Sequence, residues 1–212
     1  ISRDGLKQPD LVARDGLHPS KIQYQKWVDP CGNLHVDCRT LPGHRTLFVA
    51  HVDTVHGQGG VNNYREDAKG LHAVDAPLGA DDAAGVSLLC AMIGTVPGYY
   101  IFTRGEECGG IGAKYLRLDD AVLDSVDPAV QRGRLLELPG ALNDRGLLYM
   151  PASGVYTDTA EFIGYITDCT NISCGYYGEH TAAEWLDTVY HESLMHAVLL
   201  IDWDSLPTGK RP

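Results

Sequence analysis

Thr46–Asp53 reads TLFVAHVD and Tyr99–Glu107 reads YYIFTRGEE. Each is a short run of apolar, aromatic and β-branched residues that gives way at once to groups able to bind a cation or move a proton. Runs of this length with no polar face are what central strands of an α/β sheet look like. They predict strands over 46–50 and 99–103. His51, Asp53, Glu106 and Glu107 then follow the C-terminal ends of those strands, where open α/β sheets place their chemistry.

Between the two runs, Gly57 to Pro77 is read as irregular. LGADDAAG at 78–85 then leads into Ala83–Ile93, whose small and apolar residues suit a packed helix with Asp81 and Asp82 at its N-terminus. A second helix is expected near Ile111–Leu118. On the N-terminal side, Asp29-Pro30-Cys31-Gly32-Asn33 is a turn joining Tyr24–Val28 to Leu34–Cys38, which makes residues 1–44 an edge hairpin.

Leu135-Leu136 and Leu147-Leu148 suit either helices or strands, separated by Pro139-Gly140. Thr157 or Asp158 is an N-cap for a helix through about Ile166, and Thr170–Tyr177 reads as a strand ending near His180. Ala183–Ile201 reads as one helix with Leu186, Leu194 and Ile201 on a common face.

The whole is expected to be one catalytic domain, 1–212. Its 212 residues carry a formal net charge of −11, so a nucleic-acid backbone finds no electrostatic footprint here. The six cysteines form no CxxC pair, which suits a reduced, cytoplasmic setting. No apolar run approaches the roughly 18 residues that span a bilayer, so no membrane association is expected.

Zinc takes nitrogen, sulfur or oxygen ligands and, in catalytic sites, keeps a position open for water. His51, Asp81, Glu107 and His180 supply such atoms. A carboxylate shared by two cations offers an oxygen to each, and Asp81 is the candidate for that bridge. In His51-Val52-Asp53, strand alternation turns residues 51 and 53 the same way, so Asp53 is placed to orient the imidazole. In Glu106-Glu107 the neighbouring side chains diverge, leaving Glu107 to ligate and Glu106 to act as general base. Each fragment alone has an ordinary reading: a polar loop, an acidic pair complementing a helix dipole, a surface histidine. Their joint order is what carries weight.

That order is HVDTVH at 51–56, LGADDAAG at 78–85, TRGEECGGIGA at 103–113 and GYYGEHT at 175–181. It resembles the co-catalytic di-zinc exopeptidase superfamily, which includes aminopeptidases, glutamate-type carboxypeptidases and related deacylases. The resemblance covers about 45–113 and, more loosely, 155–190. It implies a three-layer α/β/α sandwich around a central mixed β-sheet, two zinc ions bridged by Asp81 and a hydroxide, and Glu106 as general base. One ion would be held by His51 and a further carboxylate, the other by Glu107 and His180. A cis peptide at Asp81–Asp82 is implied as well. The substrate would be a peptide or an acylated amino acid, cleaved at a terminal peptide bond or an N-acyl amide. The lid or dimerisation domain of larger members has no counterpart in this length.

The departure from the pattern concerns the fifth ligand. Glu137 has the nearer spacing and Asp158, in Tyr156-Thr157-Asp158-Thr159, the sharper motif. Both stay open, and with them the second zinc. A homologue that has lost catalysis and binds peptides or proteins is the rival reading. His56, His72, Arg104, Cys108, Tyr176 and Tyr177 lie near the motifs and are read as solvated, ion-paired or packed.

Overall fold

A computed structural model describes residues 25–39, 46–57, 59–60, 62–116, 138–150, 152, 156–163, 166 and 169–206. In chain order the elements are β1 (Gln25–Val28), β2 (Leu34–Asp37), β3 (Leu47–His51), β4 (Tyr64–Asp67), β5 (Gly70–Ala73), α1 (Ala80–Met92), β6 (Tyr99–Thr103), α2 (Ile111–Lys114), α3 (Leu138–Asn143), β7 (Tyr176–Tyr177), β8 (Trp185–Asp187) and α4 (Thr188–Leu200), with 3-10 turns at Asp158–Glu161 and Trp203–Ser205. The strands form a mixed sheet in the order β1-β2-β6-β3 and an antiparallel sheet in the order β4-β5-β8-β7.

The two apolar runs are neighbours. β3 pairs parallel with β6, with His51 opposite Thr103, so both strands end at the same edge of the sheet. All five residues of β6 are buried, and alternation divides them between two cores. Tyr100 and Phe102 join Phe48, Ala50, Ala84 and Leu88 of β3 and α1, together with Leu194, Ala197 and Val198 of α4. Tyr99 and Ile101 face the other way and meet Ala113, Leu116 and Phe162. Both faces of the sheet are therefore covered, which is why its central strand carries no polar face.

The expected hairpin at the sheet edge is present in β1 and β2, and a buried polar knot fixes its turn. Asp29 accepts the backbone N–H of Cys31 at 2.8 Å and of Asn33 at 2.9 Å. The Asn33 side chain, fully buried, donates to Asp29 at 2.7 Å and to the Gly112 carbonyl at 3.0 Å, and accepts the Arg104 N–H at 3.1 Å. The turn thus anchors the segment that leaves β6.

Five expectations need correction. Gly57–Pro77 is not irregular throughout: β4 and β5 form a hairpin within it. β4 reads YRED and is exposed along its length, so it shows no apolar alternation. Ala183–Ile201 is not one helix, because Asp187 caps α4 by accepting the Tyr190 N–H at 2.9 Å and leaves Trp185–Asp187 to pair as a strand. The strand expected over Thr170–Tyr177 is reduced to Tyr176–Tyr177. Of the helix expected with Thr157 or Asp158 as its N-cap and running to about Ile166, the described residues show a 3-10 turn at Asp158–Glu161, and the Asp158 carboxylate turns inward to Thr103 and does not cap the segment. α3 runs through Pro139-Gly140, where the sequence suggested a break. Residues 1–24, Glu137 and the remainder of 117–137 lie outside the described residues.

Asn33→Ala leaves the Arg104 N–H and the Gly112 carbonyl without partners inside the protein. It is expected to lower stability by about 2–3 kcal/mol, read as a lower urea midpoint at unchanged slope. Val28→Thr on the exposed face is expected to stay within about 0.5 kcal/mol. Burial pushes the Asp29 carboxyl up, but hydrogen bonds from His35 and Asn33 outweigh it and hold the group below its ordinary 3.8. Its contribution is therefore present above that ordinary value and is lost as pH falls through the lower folded value. An acid titration of stability in Asp29→Asn is expected to lack that component.

Candidate functional site

The sheet edge at which β3 and β6 end is where the candidate residues gather. His51 is the last residue of β3, and its Nε2 lies 3.1 Å from Asp81 Oδ1. His180 Nε2 lies 3.4 Å from Asp81 Oδ2 and 2.9 Å from Glu107 Oε1. One oxygen of Asp81 therefore faces each imidazole. Ligand atoms of His51, Asp81 and Glu107 all lie within 4.8 Å of one another. Four of the residues singled out from the sequence thus meet, from segments separated by as much as 129 positions (180 − 51).

Local structure explains how each arrives. Asp81 and Asp82 depart from helical geometry at the start of α1, and the bond between them is cis, as the resemblance implies. Asp82 turns to the main chain. It accepts the Gly85 N–H at 2.9 Å, in the manner of an N-cap, and the His51 N–H at 3.3 Å. Asp81 is left free to face the imidazoles, and the Tyr176 hydroxyl donates to it at 3.2 Å. β7 and β8 carry the loop that presents His180, which sits at φ 63°, a left-handed conformation rare for a residue with a side chain.

Asp53 acts differently from the expectation. His51 Nδ1 donates to the Asp53 main-chain carbonyl at 2.9 Å, while the carboxylate is 3.8 Å away. That carboxylate accepts three backbone N–H groups, from Gly105 at 2.8 Å, Glu106 at 3.2 Å and Glu107 at 3.1 Å. Asp53 therefore orients the imidazole through its backbone and the acidic loop through its side chain.

Asp158 is brought to the neighbourhood but not into the cluster. One of its oxygens accepts the Thr103 hydroxyl, and Thr103 stands opposite His51 across the β3–β6 pair. Its other oxygen, Oδ1, is buried with no hydrogen-bond partner among the described residues. Burial raises the Asp158 carboxyl, opposed by the Thr103 hydrogen bond and by His51. Glu137, the other candidate, lies outside the described residues.

The electrostatics are those of converging negative charge. Burial lowers His51, but the Asp81 hydrogen bond and the charges of Asp82 and Asp81 outweigh it and carry the group to about 9. Burial raises Asp82 to about 7. It also raises Glu106, with Asp158, Glu107 and Asp81 adding repulsion against the pull of His51. Glu107 is raised by burial too, against the attraction of His180. For Asp81, hydrogen bonds and charge from His51 overcome burial and hold it low. Two imidazoles and two carboxylates in contact, with a buried carboxylate oxygen unpaired nearby, form a donor set that fits a borderline-soft divalent cation such as zinc.

The other polar residues near the motifs stay apart. His56 is satisfied by Thr54 at 2.6 Å and by the Pro77 carbonyl at 2.9 Å. His72 pairs with Asp67 at 3.0 Å. Cys108 is an exposed thiol, and none of the six cysteines, all among the described residues, forms a disulfide. Sequence reasoning missed Glu184, which is fully buried and accepts the N–H groups of Gly79 and Asp81. Its signal was its place four residues after His180, obscured by reading the helix back to Ala183.

No family model matches the chain, and no curated protein matches it. Among solved structures, the aminopeptidase PepT from Bacillus cereus ATCC 10987 superposes over 83% of this chain and 87% of that one, with a TM-score of 0.62 at 13% sequence identity. The likeness is one of fold, and the mixed α/β architecture is peptidase-like. No helix among the described residues is long and apolar enough to cross a membrane.

Asp53→Asn replaces one acceptor oxygen with a donor that opposes the N–H groups of the acidic loop. It is expected to cost about 1–3 kcal/mol and to speed amide exchange at Gly105, Glu106 and Glu107. Protection equal to that of the parent at all three amides would count against the clamp.

Proposed function

We propose that this chain is a metal-dependent hydrolase that cleaves a terminal peptide bond or the amide of an N-acylated amino acid. The observation that carries the reading is the meeting of His51, Asp81, Glu107 and His180, with a third carboxylate, Glu106, within their electrostatic reach. The peptidase-like fold and the aminopeptidase among its structural neighbours support the same class of substrate. On this reading the two covered faces of the mixed sheet belong to a three-layer α/β/α sandwich forming a single catalytic domain, and the protein works in the cytoplasm.

Zinc is the proposed cofactor. Glu107 and His180 would hold one ion, His51 and Asp158 a second, and Asp81 would serve both. Bound there, zinc would polarise the scissile carbonyl and lower the pKa of water from 15.7 towards about 7.

The chain's own groups do the remainder. Glu106 takes a proton from the attacking water and delivers it to the leaving amine. Its carboxyl is raised by burial and by its acidic neighbours, and a base whose pKa moves towards the working pH transfers protons in both directions most effectively. Asp53 holds the Glu106 and Glu107 backbone so that one side chain points at the cation and the other at the substrate. Tyr176 holds Asp81.

A specific observation favours a second reading, a peptide-binding homologue without catalysis: the Asp158 carboxylate meets Thr103 and stands outside the cluster. Elemental analysis of protein purified without chelator separates the two. Near two zinc per chain, with hydrolysis of aminoacyl, carboxypeptidase or N-acyl substrates that chelator abolishes, is the expected result. No zinc and no turnover on that panel would leave the binding module. Glu106→Gln is expected to keep the parent's zinc content and lose turnover by about 10²–10⁴-fold. Full turnover in that variant would remove Glu106 from the mechanism.

A further inference from the structure

Glu184 is 1% exposed and sits between the second sheet and the start of α1. Its two oxygens grip alternate residues of one loop: Oε2 accepts the Gly79 N–H at 3.0 Å and Oε1 the Asp81 N–H at 3.1 Å. Its own backbone is pinned on both sides. Its N–H donates to the Thr181 carbonyl at 3.1 Å, and its carbonyl accepts the Ala73 N–H of β5 at 2.8 Å. Four residues before it stands His180, in its left-handed conformation, with Nε2 3.4 Å from Asp81 Oδ2.

We propose that Glu184 is a positioning residue that locks the loop bearing Asp81 to the loop bearing His180, at the separation at which both reach the same cation. The proposal rests on the metal-site reading above. A fully buried carboxylate is costly unless its oxygens are satisfied, and here both are satisfied by the backbone around a ligand. Binding the Asp81 N–H fixes where that side chain leaves the chain. The anchored Thr181–Glu184 turn fixes where His180 does. A carboxylate is needed because it accepts at both oxygens. A glutamine of equal volume accepts at one and sets an NH₂ against the other N–H.

Cobalt(II) is the probe, titrated into the full chain after chelator treatment and followed by its d–d absorption. In Glu184→Gln the Co²⁺ dissociation constant is expected to rise about 10–100-fold, as it does when groups that orient metal ligands are changed. The d–d envelope is expected to change shape, while the far-ultraviolet circular dichroism of the metal-free protein stays that of the parent. Glu184→Asp keeps both acceptors and is expected to recover part of the affinity. Glu192→Gln, at an exposed position of α4, is expected to bind as the parent does. In the parent, the Gly79 and Asp81 amides are expected to exchange at least about 100-fold more slowly than in an unstructured peptide. That measurement needs no variant and decides the clamp even where Glu184→Gln does not fold.

Free exchange at either amide overturns the proposal. So does a Glu184→Gln protein that binds Co²⁺ within twofold of the parent with the same spectrum. A parent that takes up no Co²⁺ overturns the metal reading and the positioning role with it, whereas uptake by the parent together with equal uptake by the variant overturns the positioning role alone.

Discussion

Carboxylates that accept backbone N–H groups are what the geometry of this molecule depends on. Asp53 gathers three such groups from the segment Gly105–Glu107. Asp82 takes two, from His51 and Gly85, and Glu184 takes two, from Gly79 and Asp81. Asp29 does the same at the β1–β2 turn. Loops that would otherwise depend on weak packing are thereby held by charge-assisted hydrogen bonds, which are about twice as strong as neutral ones. The acidic residues divide into those that fix the main chain and those that are presented by it. Asp81 and Asp82 divide in this way although they are neighbours in sequence, as do Asp53 and the glutamates it orders.

The parallel pairing of β3 with β6 converts sequence distance into adjacency. With His51 opposite Thr103, the residues that follow each strand emerge side by side, and helix α1 between them returns Asp81 to the same edge. The consequence is a concentration of negative charge, and the titrating groups register it. His51 is carried to about 9 and Asp82 to about 7, while Glu106 and Glu107 are raised by burial and by repulsion from neighbouring carboxylates, Asp81 among them. Like charges so arranged disfavour the compact state. A bound cation would relieve that repulsion, so on the proposed reading occupancy and stability are linked.

The strands and helix that carry the site were legible because burial writes itself into sequence. β3 and β6 are continuous apolar runs, and α1 is a block of small and apolar residues behind two aspartates. What escaped was stabilised by partners, not by pattern. β4 is a charged, exposed edge strand that β5 pairs with, and no alternation reveals it. β8 has the composition of the helix that follows it, and the Asp187 cap that divides them is one polar residue among many. The meeting of His51, Asp81, Glu107 and His180 was legible in the joint order of the motifs that carry them. The roles of Asp53 and Glu184 were not, because a carboxylate aimed at a backbone N–H looks, in sequence, like one aimed at solvent or metal.

Asp81 also accounts for the asymmetry of the cluster. Its two oxygens face imidazoles from opposite ends of the chain, His51 on one and His180 on the other, so whatever lies on each side meets a different set of donors. On the His180 side Glu107 is already in contact. On the His51 side the proposed group is Asp158, and it arrives with one oxygen engaged by Thr103 and the other buried without a partner among the described residues. A buried acceptor left unmet costs about 1–3 kcal/mol, and native structures seldom keep one without a use. On the proposed reading, that oxygen, beside the strand that ends in His51, is the physical reason to place a second donor there.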